Sequence, residues 1–140
     1  MTTTTTTTAP ATAHGEVQVT TFGYLHGAPP IDAHIVLDLR HHFRDPHAVR
    51  GLRNLTAADA EVRAAVLATP GIRPLIDATA AAALAYLAGP SAGPVTVAVG
   101  CAGGRHRAAT VGAVLAAVLA DLGVPVALAH RDMGKAVVQR

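Results

Sequence analysis

From residue 16 onward, short apolar runs and amphipathic stretches alternate along the chain. Residues 16–22 alternate polar and apolar side chains, as half-buried strands do. Residues 35–37 form a continuous apolar run, which is typical of a strand covered on both faces. Apolar residues recur at helical spacing in the longer stretches. The pattern predicts strands at 16–22, 31–39, 94–100 and 124–129, and helices at 57–69, 70–88 and 107–122.

The alternation of strands and helices predicts an α/β fold. We expect a single domain over residues 16–140, with a mostly parallel or mixed sheet flanked by helices on both faces and a phosphate-binding loop after a central strand. A chain of 140 residues is long enough for one such core. Residues 1–15 contain a threonine run with nothing to bury, so they are expected to form a disordered tail.

Composition narrows the classes of function. A net charge of +2 gives no overall polyelectrolyte field, so a nucleic-acid role would need a local basic patch. A single cysteine excludes an internal disulfide and favours a reducing, cytoplasmic setting. No secretory signal pattern is visible, and the apolar stretch 76–88 is too short to span a bilayer. The sequence therefore predicts a soluble cytoplasmic protein without membrane contact.

Neither a metal site nor a cofactor is expected. The histidines at 41, 42 and 47 lack the spacing of metal ligands on a helix. The Walker P-loop and the dinucleotide fingerprint are both missing from the sequence. Any bound group is therefore expected to be a ligand rather than a resident cofactor.

Three predicted strands end in polar clusters, at 38–41, 101–107 and 130–132. In a parallel sheet these clusters meet at the carboxyl edge, where open α/β folds bind ligands. The middle cluster is glycine-rich and opens a helix, an arrangement whose backbone N–H groups and dipole favour anions. The three clusters together bring in Arg40, Arg105, Arg107 and Arg131. These four cations would repel one another unless an anion or the carboxylates of Asp38 and Asp132 offset them. We therefore hypothesise a phosphate-bearing ligand; the alternative is that charges gather at strand ends because solvent begins there.

A catalytic alternative rests on Cys101 and Arg107, which are separated by five residues. That is the spacing of the phosphate loop in Cys-dependent phosphatases, where a thiolate attacks phosphorus. Ala108 stands where a hydroxyl residue usually follows the arginine, and the general acid would have to be Asp45 or Asp132. A small, buried structural cysteine is the third interpretation.

Six short motifs occur in one order between residues 19 and 135. The loop 100–107 reads Gly-Cys-Ala-Gly-Gly-Arg-His-Arg, and the others are Phe-Gly-Tyr-Leu-His-Gly at 22–27, Asp-Ala-His-Ile-Val-Leu-Asp-Leu-Arg at 32–40, Asp-Pro-His at 45–47, Leu-Arg-Asn-Leu-Thr at 52–56 and His-Arg-Asp at 130–132. Together they resemble the C-terminal domain of the RapZ family, bacterial RNase adaptor and nucleotide-binding proteins. Ala102 and Ala108 replace a threonine and a serine of that family's loop motif.

The resemblance implies a non-catalytic sensor or adaptor domain that binds an amino-sugar phosphate or a nucleotide. RNA or an RNase is the further partner it implies, and association of identical copies is left open. Full-length relatives carry an N-terminal P-loop domain that this sequence does not contain, so nucleotide hydrolysis is not expected. A local basic face for RNA would comprise Arg40, Arg44, Arg50, Arg53 and Arg131, acting on backbone phosphates.

The resemblance and the strand-end clusters together predict one ligand pocket. Its predicted binding residues are Asp38, Arg40, His47, Cys101, Ala102, Gly103, Gly104, Arg105, His106, Arg107, His130 and Arg131.

Overall fold

The computed structural model describes residues 16–91 and 93–138, and the predicted threonine-rich tail lies outside these ranges. In chain order the strands are β1 (Val17–Gly23), β2 (Ile35–Asp38), β3 (Val95–Cys101) and β4 (Val126–His130). The helices are α1 (Ala60–Leu67), α2 (Ile72–Leu87) and α3 (Arg107–Asp121), with short 3₁₀ turns at Pro46–Ala48 and Arg50–Leu52. All seven main elements were predicted from the sequence, with bounds that differ by a few residues.

The four strands form one sheet in the order β2-β3-β1-β4, and every pairing is parallel. Val17 pairs with Val95 on one side and with Val126 on the other. The α/β class and the parallel sheet are therefore confirmed. Because all strands run the same way, their carboxyl ends, including Asp38, Cys101 and His130, lie at one edge of the sheet.

The three helices pack on one face of the sheet, which corrects the expected cover on both faces. Helix α3 contacts β1, β3 and β4, and it also packs against α1 and α2. The connections from β2 to β3 and from β3 to β4 cross the sheet in the same direction, so right-handed crossovers place their helices on the same side. The largest fully buried aliphatic side chains of this core are Val17, Val19, Leu39, Val62, Val66, Ile72, Ile76, Val97, Val99, Leu115 and Leu119.

The opposite face is covered in part by the loop that follows β1. Phe22 is fully buried there, and its ring lies across Gly100, where an added Cβ would come within 2.4 Å of the ring. Tyr24 packs edge-on against Phe22, with ring centroids 4.8 Å apart. Strand residues of this face that remain exposed are Gln18, Val36, Asp38, Ala127 and Ala129.

Gly112 allows α3 to lie directly on β1, since a Cβ there would come within 2.3 Å of the Thr21 Cγ2 atom. We predict that Gly112→Ala lowers the free energy of unfolding by roughly 1–3 kcal/mol, because overpacking outweighs the gain of about 1 kcal/mol in helix propensity. Urea denaturation measures the change. Gly51→Ala is the control, because nothing lies within 4 Å of its Cβ position. Equal stability of Gly112→Ala and the parent would contradict this packing.

Candidate ligand-binding cleft

The glycine loop between β3 and α3 packs backbone against backbone on the end of β1. A Cβ at Gly23 would lie 2.4 Å from the carbonyl carbon of Gly103 and 2.8 Å from the Gly104 nitrogen. Gly104 has a φ of 75° and in turn approaches the Gly23 nitrogen. Side chains at these positions would separate the loop from the strand, so the glycines are needed for close packing.

Cys101, at the end of β3, is buried, and its sulfur lies at the start of α3. The Sγ atom accepts hydrogen bonds from the backbone N–H groups of Gly104 at 3.3 Å and Ala108 at 3.4 Å. These two amides therefore have an internal acceptor. The Cys101 sulfur thus accepts one backbone N–H of the glycine loop and one of the first turn of α3, where N–H groups have no partner within the helix.

Arg107, the first residue of α3, binds the segment after β2 through hydrogen bonds of its guanidinium group. Its Nη1 atom donates to the carbonyl oxygens of Leu39 at 2.8 Å, Arg40 at 3.1 Å and Phe43 at 3.3 Å. Its Nη2 atom lies 3.2 Å from the carboxylate of Asp45. The side chain is only 2% exposed. Arg107 thus holds residues 39–45 against the start of α3, and it also lines a cleft beside the glycine loop.

Arg105 joins two other segments to the glycine loop. Its Nη1 atom donates to the carbonyl oxygen of Lys135 at 2.7 Å and, more weakly, to that of Met133 at 3.4 Å. Its Nη2 atom donates to the carbonyl oxygen of Asn54 at 3.1 Å. The two η nitrogens of Arg105 are therefore occupied by backbone acceptors.

A partly enclosed cleft of about 280 Å³ lies between the glycine loop, the 3₁₀ segment and the end of the described chain. Six of its lining residues belong to the predicted set, and three do not. The six are His47, Cys101, Gly103, Arg105, His106 and Arg107, and the others are Asp45, Val137 and Val138.

Two arginines that line the cleft, Arg105 and Arg107, each have a buried guanidinium nitrogen that lacks an acceptor. The Nε atoms of Arg105 and Arg107 have no hydrogen-bond partner within residues 16–91 and 93–138. A buried N–H group without an acceptor costs free energy, so such groups ordinarily find a partner in protein, water or ligand. Both lie beside the N-terminus of α3, where the helix dipole also favours negative charge.

The two histidines of the cleft are held in different ways, His106 by the backbone of a distant segment and His47 by the Asp45 carboxylate of its own segment. His106 is buried, and its Nε2 atom lies 2.7 Å from the carbonyl oxygen of Leu55. Burial lowers the pKa of His106 below its ordinary value, although the hydrogen bond to Leu55 acts in the opposite direction. His47 follows Asp45, whose carboxylate accepts the His47 backbone N–H at 2.9 Å.

The remaining predicted residues lie outside the cleft lining. Arg40 forms a two-point ion pair with Asp38 at the surface and stacks 3.6 Å above the centroid of the Tyr24 ring. Hydrogen bonding by Arg40 lowers the pKa of Asp38 to about 2. The other four are Ala102, Gly104, His130 and Arg131.

Arg131 and His130 are engaged at the end of β4. Arg131 donates to the carbonyl oxygens of Ala28 at 2.7 Å and Gly27 at 3.2 Å, and its guanidinium pairs with Asp132 at 2.9 Å. The Nδ1 atom of His130 lies 2.7 Å from the Thr21 hydroxyl. Burial lowers the pKa of His130.

The predicted binding set left out Asp45, Val137 and Val138, although Asp45 was named as a candidate general acid in the catalytic alternative. The Asp45 position carried a signal, because it lies in the Asp-Pro-His motif beside His47. Val137 and Val138 carried none, since two valines near the end of a sequence do not indicate which surface they cover.

The described residues contain neither a metal-binding cluster nor a membrane-spanning helix. No three His, Cys, Asp or Glu side chains within those residues are grouped closely enough to hold a metal ion. None of the helices in the same part of the chain is both long and apolar enough to cross a membrane.

A model of the RapZ C-terminal domain matches residues 15–134. The chain belongs to the RapZ C-terminal domain family. Among the relatives that share this RapZ-type domain, a nucleotide-binding protein of Thermobifida fusca is 42% identical over 120 residues, and one of Streptomyces coelicolor is 41% identical over 120 residues; each match covers 84% of this chain and 40% of the relative. A nucleotide-binding protein of Mycobacterium leprae is 36% identical over 129 residues, covering 89% of this chain and 43% of the relative. The chain thus spans about two fifths of the length of these relatives.

Asp132 joins the ends of two strands beneath the loop of this RapZ-type domain. Its side chain is fully buried, and Oδ2 accepts the backbone N–H of Gly23 at 2.8 Å and the Nε–H of Arg131 at 3.0 Å. Lys135 Nζ lies 2.7 Å from the other carboxylate oxygen. Burial would raise the pKa of Asp132, but hydrogen bonds from Arg131, Gly23 and Lys135 outweigh it and lower the pKa to about 2.

We predict that Asp132→Asn lowers the free energy of unfolding at neutral pH by about 2 kcal/mol. A carboxyl group whose pKa falls from its ordinary 3.8 to about 2 on folding stabilises the folded state by about that amount. A lowered carboxylate pKa stabilises the fold above the unfolded-state pKa of about 4, and this contribution disappears as the pH falls towards 2. The difference between parent and variant should therefore shrink over that range in urea titrations at several pH values. Asp32→Asn, at an exposed loop position, is the control. A difference that is constant with pH would contradict this role for Asp132.

Proposed function

We propose that the domain is a non-catalytic sensor or adaptor that binds a phosphate-bearing ligand in the cleft. The observation that carries this proposal is the pair of buried Nε donors on Arg105 and Arg107, both of which line the cleft. A phosphate oxygen is the acceptor that suits arginine donors best, because guanidinium and phosphate form charge-assisted hydrogen bonds.

The charge of the cleft supports an anionic ligand. Among its described lining residues, Arg105 and Arg107 are cationic, and Asp45 supplies one carboxylate. The N-terminus of α3 adds partial positive charge beside Gly103. In this arrangement the phosphate lies at Gly103 and the two arginines, while His47 and His106 contact the rest of the ligand.

Two classes of ligand fit this description, an amino-sugar phosphate and a nucleotide. The curated relatives are named nucleotide-binding proteins. Because this chain matches only about 40% of each of those proteins, we extend nucleotide binding to it as a proposal. The family resemblance of the loop motif supports the amino-sugar phosphate.

We predict that inorganic phosphate, glucosamine 6-phosphate or AMP binds the chain with a measurable heat in isothermal titration calorimetry. Arg105→Gln should weaken binding by about tenfold, since losing a charged hydrogen bond costs roughly 1.5 kcal/mol or more. Arg73→Gln is the matched control, because Arg73 is an exposed residue of α2 outside the cleft. Absence of heat and of thermal stabilisation with all three ligands would refute the proposal, as would equal losses in the two variants.

A Cys-dependent phosphatase is the second candidate, favoured by the position of Cys101. Its sulfur lies at the N-terminus of α3 and lines the same cleft as Arg107. Against catalysis, the η nitrogens of Arg107 are directed to the carbonyl oxygens of 39, 40 and 43 and to Asp45, rather than left for a substrate phosphate.

We expect no hydrolysis of p-nitrophenyl phosphate beyond the background rate, because Arg107 is engaged by the protein. The assay compares the parent with Cys101→Ser at equal concentration, following absorbance of the released nitrophenolate. Turnover by the parent that Cys101→Ser abolishes would establish the phosphatase and refute the non-catalytic proposal. Turnover that persists in Cys101→Ser would point to a contaminant.

Contact with RNA or an RNase, and association of identical copies, stay predictions of the family resemblance. The exposed arginines Arg40, Arg44 and Arg53 on the segment after β2 support RNA contact. Arginines at the surface bind backbone phosphates, so such binding would weaken steeply with salt.

A further inference from the structure

The residues after Asp132 form a strap, residues 135–138, that runs over the ligand cleft. Its last two members, Val137 and Val138, are half-buried and line the cleft together with Cys101 and Gly103. The strap lies beyond residue 134, where the match to the RapZ C-terminal domain ends.

Arg105 connects the strap to the cleft. Its Nη1 atom donates to the carbonyl oxygen of Lys135 at 2.7 Å, while its Nε atom is one of the buried donors without an acceptor. The strap therefore uses part of the guanidinium group that a phosphate would bind.

The beginning of the strap is fixed to the sheet edge. The Lys135 backbone N–H donates to the carbonyl oxygen of Asp132 at 3.0 Å, and the Lys135 ammonium pairs with the Asp132 carboxylate. Val137 and Val138, which follow, line the cleft. The strap can therefore open about Lys135 without breaking the anchor at Asp132.

With the strap in place, the cleft is small for an organic phosphate. The centre of a water-sized sphere can reach only about 10 Å³ of it, which is room for roughly one water molecule. Moving Val137 and Val138 away would enlarge the cleft. If the strap rotates about the Cα–C bond of Lys135, the Lys135 carbonyl oxygen leaves Nη1 of Arg105, which then keeps only its weaker bond to Met133 at 3.4 Å.

We propose that the strap is an autoinhibitory gate that competes with the ligand for Arg105 and must open before a phosphate-bearing ligand can bind. This inference rests on the proposed phosphate site for its ligand, but closure of the strap over Cys101 can be tested without any ligand. Ligand binding and strap closure are then opposing states of the same arginine, and any contact that draws the strap away raises affinity.

Cys101 reports on the strap, because it is the single cysteine of the chain and is 2% exposed beneath the cleft. In the double variant Val137→Gly/Val138→Gly, the rate of Cys101 alkylation by iodoacetamide should rise about tenfold, as expected when a local opening becomes easier by about 1.4 kcal/mol. Ile31→Gly is the control, since Ile31 is an apolar residue that is 99% exposed. Urea denaturation of each variant corrects the rate for global unfolding. After that correction, an unchanged rate in the double variant would overturn the gate.

Calorimetry with inorganic phosphate then tests the competition. The double variant should bind phosphate several-fold more tightly than the parent, because the closed state no longer competes for Arg105. Equal or weaker binding would overturn competition by the strap. If phosphate binds neither protein while Cys101 alkylation is faster in the double variant, the gate is retained and the proposed phosphate function is refuted.

Discussion

The close contact between Gly23 and the glycine loop is the constraint on which the rest of the site depends. Backbone of Gly103 and Gly104 lies where a side chain at Gly23 would be, and the buried Asp132 carboxylate accepts the Gly23 N–H at the same point. This contact sets the height of the loop above the sheet. The direction in which α3 leaves the loop, and so the placement of Arg107, follows from it.

The arginines of the charge cluster at the sheet edge bind carbonyl oxygens and carboxylates of the protein itself, so the cluster has a structural role. The sequence predicted that an anion, or the carboxylates of Asp38 and Asp132, would offset the charge of its four arginines. In the structure Arg40 pairs with Asp38, and the other three donate to backbone carbonyl oxygens or to Asp45 and Asp132. Their main role is to tie separate segments together. Among the buried donors of these four arginines, only the Nε atoms of Arg105 and Arg107 have no acceptor within the described residues.

Much of the fold could be predicted because periodicity and glycine signals are local. Strand β3, helix α3 and the end of α3 before Gly123 follow from apolar spacing and capping glycine alone. Helix α1 starts later than predicted because Asp59 has an extended backbone. The turn before Asp59 is tied to a distant segment, since the Ala57 N–H donates to the carbonyl oxygen of Arg105. Contacts between distant segments also limited how much of the candidate site could be predicted. The loop residues were visible as a motif, whereas carbonyl acceptors and the position of Val137 depend on tertiary packing.

The order of the strands also determines how the chain must fold. Strand β1 comes first in the described sequence yet lies inside the sheet, between β3 and β4. Thr21 in β1, for example, forms a hydrogen bond with His130 in β4, which lies 109 residues further along the chain. Such distant pairings slow folding, because a long loop must close before either neighbour stabilises the strand. During synthesis, β1 has no hydrogen-bonding neighbour in the sheet until most of the domain has left the ribosome.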